Sequence, residues 1–288
     1  MFNFNTGVEL LNRFMGSEKK TTMLFEGNRY MLKYPDPVRE QNNDLSYMNN
    51  QYSEHIGCCI FKSCGFDTQE TFLGTYTDPA GKEKIVVACK DFTQDGSVLY
   101  EFSKLGNTVV TIDYKFKASI ESVYTIIEEN PLIKDKERVK NNFWDMFVVD
   151  ALLGNYDRHF DNWGLLERNG KVQFAPIYDC GSALASLHSD IKLNEILKNP
   201  VCFKNAEYNA KSCYTLADKR IFYHEIFKNL TEELKAAIIR IVPKIDMEKI
   251  HSIVSDTEMS DIRIEYLRKA LDIRYESIIM PAFKKLQQ

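Results

Sequence analysis

The sequence lacks long apolar runs. Nowhere in its 288 residues do about 18 apolar positions follow one another, as a membrane-spanning helix requires. Its opening residues, Met-Phe-Asn-Phe-Asn-Thr-Gly, also lack the basic segment, the apolar segment and the small-residue cleavage site of a secretory signal. We therefore expect a cytoplasmic protein without a membrane span.

Basic charge is not in excess either. Lys and Arg number 37 against 41 Asp and Glu, and this balance argues against a direct nucleic-acid partner. The seven cysteines are an odd number and include no C-x-x-C pair, so neither a disulfide framework nor a zinc ribbon is indicated. We expect most of them to be small buried side chains.

The first 95 residues have the pattern of a small lobe made of hairpins and one helix. Residues 21–26 and 29–34 are predicted to be the two strands of a hairpin. Gly27-Asn28 joins them, because this pair supplies the positive φ of a tight turn. A helix is predicted over residues 45–63, with Gly65 as its stop signal. A second hairpin is predicted from residues 72–77 and 83–89.

From residue 96 onward the pattern is longer and mostly helical. Helices are predicted over residues 118–129 and 135–153, and several more over residues 215–286, including one from Ser260 to Met280 before Pro281. We therefore predict an α+β chain with a β-rich N-lobe, residues 1–95, and a mostly helical C-lobe, residues 96–288, which share a cleft.

Charge is unusually dense in the segment GNYDRHFDNWG, residues 154–164, between an apolar helix and an apolar strand. A hairpin follows, from Trp163 to Tyr178, around Asn169-Gly170. If Asn169-Gly170 is a two-residue turn, Arg168 faces Lys171, and the two residue numbers of every pair in the hairpin sum to 339. Extended, this register places Asn162 opposite Ile177 and Phe160 opposite Asp179, so Asp179 returns to the charged loop.

Two acids and an amide that converge suit phosphoryl transfer from ATP. This reaction needs oxygen ligands for Mg²⁺ and a carboxylate to accept the proton of the attacking hydroxyl, which protein kinases supply as D-x-x-x-x-N and D-x-G. Asp157 and Asn162 have the first spacing, and Asp179-Cys180-Gly181 is the second. Two features depart from protein kinases: the order Asp-Arg-His, and Cys180 in place of Phe.

Two other interpretations of the loop remain open. It could be a structural loop in which Arg158 pairs with Asp157 or Asp161. A zinc site could use His159 and nearby acids, although the other histidines (55, 188, 224 and 251) show no ligand spacing to it. We expect His159 to hold the shape of the loop by a hydrogen bond, which makes it part of the nucleotide site.

The motif DRHFDN together with YDCG resembles the HipA-like serine/threonine kinase family, the toxin halves of certain bacterial toxin-antitoxin systems, and its short cell-translocating relatives. The D-R-H-x-x-N core is also similar to that of phosphatidylinositol kinases. The resemblance implies ATP and Mg²⁺ as cofactors, Asp157 as catalytic base, and Asn162 and Asp179 as magnesium ligands. It also implies a protein substrate, and an antitoxin as a possible partner.

The nucleotide half of the site follows from the same resemblance. YMLKYP resembles the family's lysine strand, so Lys33 would hold the phosphates, and the turn at Gly27-Asn28 would pair Lys33 with Thr22. GSEKK resembles the phosphate loop, in which Ser17 is the expected site of self-phosphorylation, with Thr21 and Thr22 as neighbours.

Two further parts of the nucleotide site complete the prediction. Glu54 is the expected helix acid that holds the lysine, and the main chain of Lys90 to Phe92 is expected to form the hinge that binds adenine. The first interpretation is thus an ATP- and Mg²⁺-dependent serine/threonine protein kinase that phosphorylates itself. A lipid kinase and a nucleotide-binding pseudokinase that acts through its C-terminal helices are the alternatives.

Overall fold

The computed structural model describes residues 1–11, 20–35, 49–78, 80–109 and 118–288. Within the first hundred residues the elements are β1 (Phe2–Asn3), β2 (Val8–Leu10), β3 (Lys20–Phe25), β4 (Asn28–Lys33), α1 (Asn50–Ser63), β5 (Thr71–Thr77) and β6 (Glu83–Lys90).

The six strands form one sheet in the order β1-β5-β6-β4-β3-β2, in which only the pairing of β1 with β5 is parallel. The first predicted hairpin is present, but its turn is Glu26-Gly27, and both residues have positive φ. The predicted turn at Gly27-Asn28 was therefore wrong by one residue. Because a shift of the turn by one position changes the register by two, Lys33 pairs with Lys20 and not with Thr22.

Helix α1 begins at Asn50, and the predicted start at residue 45 lies outside the described residues. Gly65, with a φ of +88°, follows its last turn as predicted. The helix packs its apolar side chains, among them Ile56, Ile60 and Phe61, into the core that it shares with the C-lobe. One face of α1 therefore belongs to the larger lobe, while its acid Glu54 faces the sheet strand β4.

The C-lobe contains the remaining elements: β7 (Val98–Glu101), α2 (Phe102–Val109), α3 (Ile120–Glu129), α4 (Lys136–Leu153), β8 (Gly164–Arg168), β9 (Lys171–Phe174), α5 (Asp190–Leu197), α6 (Pro200–Tyr208), β10 (Lys211–Leu216), β11 (Lys219–Phe222), α7 (Tyr223–Ile226), α8 (Glu232–Ile241), α9 (Met247–Asp256), α10 (Asp261–Arg274) and α11 (Met280–Leu286). The helices predicted over residues 118–129 and 135–153 are confirmed within two residues.

Helix α4 is the central helix of this lobe, and its last eleven residues are all buried except Asp145. Asp135 caps its N-terminus by accepting a hydrogen bond from the backbone N–H of Arg138. Gly154 ends it in the left-handed conformation, with φ +65°. The charged loop thus begins at a fixed point on a buried helix.

Strands β7, β8 and β9 form a three-stranded sheet, and the predicted sum of 339 holds from Arg168–Lys171 to Leu165–Phe174. The extension of this register to Asp179 was wrong. Pro176 has no N–H to donate, so the ladder ends after the bond from Ala175 N–H to the Gly164 carbonyl. The chain then crosses to the N-lobe, where Ile177 N–H donates to the Asp67 carbonyl.

Two features near the C-terminus were not predicted. The β10–β11 hairpin lies in a part of the sequence for which only helices were expected after residue 215. The helix predicted to stop before Pro281 continues past this proline. Residues Tyr275–Ile279 form a π-helical turn, in which Met280 N–H donates a hydrogen bond to the carbonyl of Tyr275. Pro281 then begins the last helix, where a missing N–H costs little.

The sheet and the helices enclose two separate apolar cores. The smaller one lies on the N-lobe sheet and includes Phe4, Met23 and Leu32, whereas the larger one joins α1 to the C-lobe helices. The α+β architecture with a sheet-rich N-lobe and a helical C-terminal region is therefore confirmed, and the boundary at residue 95 stays a prediction. Among the described residues, no helix has the length and apolar character needed to span a membrane.

Candidate active site

Lys33 connects the two lobes at the predicted site. Its Nζ donates to Oε2 of Glu54 at 2.8 Å and to Oδ1 of Asp179 at 2.7 Å. Glu54 is completely buried, and its second oxygen accepts a hydrogen bond from the backbone N–H of Cys180 at 3.2 Å. The structure thus brings together the predicted strand lysine, helix acid and D-x-G acid.

Asp179 occupies an unusual backbone conformation, with φ +57°. A non-glycine residue in this region carries strain of about 1 kcal/mol or more, which the surrounding structure must offset. Burial would raise the pKa of Asp179, but the adjacent Lys33 ammonium outweighs this effect and the pKa lies below its usual range. The carboxylate is therefore held ionised at neutral pH, in the form that binds a cation.

Arg158 connects the charged loop to helix α4 and to the D-x-G segment. Its guanidinium pairs with Asp150 of α4, with Nε 2.9 Å from Oδ2 and Nη2 3.2 Å from Oδ1, and both side chains are buried. It also donates to the carbonyls of Asn162, Tyr178 and Asp179. The alternative in which Arg158 pairs with Asp157 or Asp161 is therefore not what the structure shows, because the buried guanidinium pairs with the buried acid of the preceding helix.

Asp157 lies near the mouth of the site, with its side chain 40% exposed. Burial raises its pKa above the ordinary value for aspartate, against the lowering effect of His159, and the charge of Asp179 raises it further. The Ser182 hydroxyl lies 3.4 Å from its Oδ2. A carboxylate whose pKa is raised accepts a proton more readily at neutral pH, as a general base requires.

His159 has the structural role that the sequence indicated. Its Nδ1 accepts a hydrogen bond from the backbone N–H of Asp161 at 3.2 Å, and its ring lies 3.9 Å from Asp157 and 3.5 Å from Asp161 at the closest atoms. Among the described residues, no group of three or more His, Cys, Asp or Glu side chains is arranged to hold a metal ion. The site therefore offers no observation in favour of zinc.

Asn162 supplies an amide oxygen beside the loop. Its Nδ2 donates to the carbonyl of Asp157 at 2.8 Å, and the acceptor of the same amide is Oδ1. Together with Asp179, the pair would provide hard oxygen ligands of the kind that Mg²⁺ prefers. The donor chemistry therefore fits the predicted cation, and the assignment of Asn162 and Asp179 as its ligands stays a prediction.

At the predicted hinge, Lys90 already uses its main chain within the N-lobe. Its N–H donates to Glu70 and its carbonyl accepts from the Gln69 side chain. The ring of Phe92 packs against Tyr178 at 5.9 Å between centroids. The assignment of the hinge to the main chain of Lys90 to Phe92 stays a prediction.

The predicted phosphate loop, with Ser17, lies outside the described residues. What the structure shows is the strand that follows it. Lys20, at the start of β3, pairs directly with Lys33 at the end of β4, so the chain enters the sheet beside the site lysine. Thr21 and Thr22 belong to β3, and Thr22 is buried, which sets it apart from an exposed phosphorylation site.

Several residues of the site were missed from the sequence. The role of Asp150 as the partner of Arg158 could not be predicted from the sequence, because a single acid in an apolar helix is not distinctive until its partner is known. Ser182 immediately follows the D-x-G motif and could have been found there. Arg220 donates from Nη2 to the carbonyl of Tyr156 at 3.2 Å, and its position 63 residues after Asp157 gave no indication of this contact.

Comparison with known proteins agrees with this geometry. Residues 14–247 match the model of the HipA-like C-terminal domain. The chain is 39% identical over 267 residues to the serine/threonine-protein kinase CtkA of Helicobacter pylori (strain J99 / ATCC 700824), a match that covers 90% of this chain and 80% of the relative.

Solved structures give the same result. The crystal structure of a Helicobacter pylori proinflammatory kinase CtkA superposes with a TM-score of 0.90 at 36% identity, over 99% of this chain and 97% of that one. A chain from the complex of the Shewanella oneidensis MR-1 toxin-antitoxin proteins HipA and HipB with operator DNA has a TM-score of 0.56 at 11% identity, over 94% of this chain and 67% of that one, a likeness of fold alone. The chain belongs to the HipA-like serine/threonine kinase family.

Proposed function

We propose that this protein is a serine/threonine protein kinase that uses ATP and Mg²⁺ to phosphorylate a protein, and that it also phosphorylates itself near residues 16–22. The observation that carries the proposal is the position of Lys33 between Glu54 and Asp179, since a kinase uses this triad to align phosphates and cation. Asn162 and Asp179 would hold Mg²⁺, which supplies charge neutralisation on the phosphates when bound.

In this proposal Asp157 orients the acceptor hydroxyl and takes its proton. Its raised pKa and partial exposure support that role, and the hydroxyl of Ser182 near its Oδ2 marks one position from which a hydroxyl reaches it. The substrate serine or threonine would enter from the open side of this carboxylate. Lys33 would bind the phosphates from the opposite side, on the N-lobe.

The function is tested by transfer of labelled phosphate from ATP with Mg²⁺ to the protein itself and to a generic protein substrate. Asp157→Ala and Asp179→Ala should abolish transfer. Asp161→Ala is the matched control, because Asp161 belongs to the same loop but its side chain is 60% exposed and contacts Ser103 and His159. Transfer that survives in Asp157→Ala would overturn the assignment of the base.

Mass mapping of the labelled protein would locate the self-phosphorylation site. Modification of Ser17 is the expected result, and label found only outside residues 16–22 would contradict this part of the proposal. If no protein accepts phosphate although ATP binds, a lipid substrate or a pseudokinase would replace the protein-kinase proposal, and binding to liposomes would separate these two. We also propose a cytoplasmic location and, from the family resemblance, an antitoxin partner.

A further inference from the structure

The β10–β11 hairpin places an arginine next to the proposed catalytic base. Arg220, on β11, donates from Nε to the carbonyl of Ser212 at 2.8 Å and from Nη2 to the carbonyl of Tyr156 at 3.2 Å. Tyr156 immediately precedes Asp157. The guanidinium is therefore fixed by two main-chain contacts at the entrance to the site, and it acts on the Asp157 carboxylate electrostatically.

No carboxylate of the described residues lies within ion-pair distance of this guanidinium, although most Arg side chains of the chain's interior do have such a partner. Arg158, Arg263 and Arg274 pair with Asp150, Asp190 and Glu207, respectively. Arg220 is exposed, and its two bonds to neutral carbonyls orient it without neutralising it. Its charge therefore remains available to an anion that approaches from solvent.

A second cation lies on the same face of the hairpin. Lys211 pairs with Phe222 across the two strands, and its Nζ lies 4.7 Å from the centre of the Phe222 ring. Phe222 and Arg220 are two residues apart on β11, so they share a face. Acidic groups lie at the turn of the hairpin, where Asp218 is located and where Glu121 accepts a hydrogen bond from Ala217 N–H. Lys211 and Arg220 thus form a basic face that leads to Asp157.

We infer that this basic face selects the acceptor: the protein phosphorylates serine or threonine residues that have an aspartate or glutamate within about three positions, and Arg220 binds that acidic side chain. An extended peptide advances about 3.3 Å per residue, so an acid this close to the acceptor remains within reach of the face. Charge complementarity of this kind sets specificity among substrates. The inference rests on the proposed kinase function and narrows its substrate class.

A set of short peptides tests the inference, each with one serine and with Glu, Ala or Lys at each flanking position in turn. We expect wild type to phosphorylate the best Glu peptide with kcat/KM about fivefold above its Ala counterpart, as one exposed ion pair would give. Arg220→Gln should abolish this preference. Arg220→Glu should reverse it in favour of the Lys peptide, a rescue that a merely structural arginine would not produce.

Two controls keep the outcomes distinct. Arg220→Lys retains the charge and should retain part of the preference. Lys235→Gln removes a partly exposed lysine of α8 that pairs with Glu232 of its own helix, and it should leave the preference unchanged. ATP binding and thermal unfolding of each variant show whether the site and the fold are intact. If an Arg220 variant loses both ATP binding and the folded structure, Lys211→Glu takes its place. That variant reverses a charge on the same face, and its preference between the Glu and Lys peptides is compared with that of wild type.

Three results would overturn the inference. Wild type could phosphorylate the peptides with no preference for acids. Arg220→Gln could instead lower kcat equally for every peptide with an unchanged preference, which would assign Arg220 to the transferred phosphate and not to the acceptor. If wild type transfers phosphate to no peptide and not to itself, the proposed function has failed, and the inference fails with it.

Discussion

Lys33 Nζ lies 2.7 Å from Asp179 Oδ1, although the two residues are 146 positions apart in the chain. The contact joins a strand of the N-lobe to the segment that follows the C-lobe hairpin. Glu54 accepts from the same ammonium and also from the backbone N–H of Cys180, so the lysine, the helix acid and the D-x-G segment form one unit. The energetics of this unit are open to direct measurement.

Replacement of Lys33 by Met should destabilise the protein by about 3–5 kcal/mol, because Glu54 would be left buried without its cation. Phosphate transfer should also be lost. The double variant Lys33→Met/Glu54→Gln should regain much of the lost stability while it remains inactive. Urea unfolding monitored by circular dichroism measures both effects.

Lys269→Met is the matched control for this pair. Lys269 and Glu265 form an exposed ion pair on α10, with half of each side chain accessible, and its loss should cost less than about 1 kcal/mol. Equal losses of stability in Lys33→Met and Lys269→Met would show that the buried contact is not what holds the two lobes together.

Asp157→Asn should abolish phosphate transfer but leave the protein as stable as wild type, or more stable, at neutral pH. The folded state raises the pKa of Asp157, chiefly by burial, so it binds this proton more tightly than the unfolded chain does. Between the ordinary pKa and the raised one, wild-type stability therefore falls as pH rises. In the variant, this contribution is absent.

The difference in unfolding free energy between Asp157→Asn and wild type should shrink as the pH is lowered from the raised pKa of the folded state to the ordinary pKa of aspartate, because below both values the wild-type carboxyl is protonated in the folded and the unfolded state. Denaturant titrations over the acidic to neutral range provide the measurement. A variant that is less stable than wild type at neutral pH, with the gap unchanged by acid, would contradict a raised pKa.

Arg158→Met should be among the most destabilising substitutions in the C-lobe, with a loss of about 3–5 kcal/mol. It would leave Asp150 buried without a cation, and the carbonyl of Asn162 in the loop and those of Tyr178 and Asp179 in the D-x-G segment would lose their donor. Arg158→Lys should restore the charge but not the several directed bonds, so activity should stay low. Thermal unfolding and phosphate transfer measure the two effects separately.

Arg240→Met offers a comparison, because Arg240 of α8 pairs with another acid of α4, Asp145. Arg240 pairs with Asp145 through two nitrogens, but more than a third of its side chain is exposed. Its removal should cost about 1 kcal/mol and spare activity. If Arg158→Met proved as mild as Arg240→Met, the central role of Arg158 in shaping the loop would be refuted.

Gly57→Ala should destabilise the protein, although alanine in a helix interior is usually more stable than glycine by about 1 kcal/mol. A Cβ at position 57 would lie 2.5 Å from the Cβ of Cys180, so α1 and the D-x-G segment would have to separate. Activity should fall because Glu54 and Lys33 depend on the position of α1.

The double variant Gly57→Ala/Cys180→Gly tests this explanation, since it removes the atom that the new methyl group would strike. It should recover stability relative to Gly57→Ala, and a double-mutant cycle with Cys180→Gly alone gives the coupling between the two positions. Additive effects would exclude the proposed contact as the cause.

Much of this protein was predictable from local pattern. The Asn169-Gly170 turn fixed the register of β8 and β9, and the hydrophobic periodicity located α3 and α4, because turns and helices depend on interactions between near neighbours. The spacing of Asp157 and Asn162, together with Asp179-Cys180-Gly181, was sufficient to indicate the family. These features require no knowledge of distant contacts.

The remaining features depend on contacts between residues far apart in the chain. Pro176 stops the ladder, so Asp179 reaches the site through Lys33 and Arg158 and not through the predicted strand pairing. The partners of Arg158 and Arg220 follow from how α4 and the β10–β11 hairpin pack against the loop. A charged residue acquires its role from its neighbours in space, and packing, not sequence spacing, chooses those neighbours.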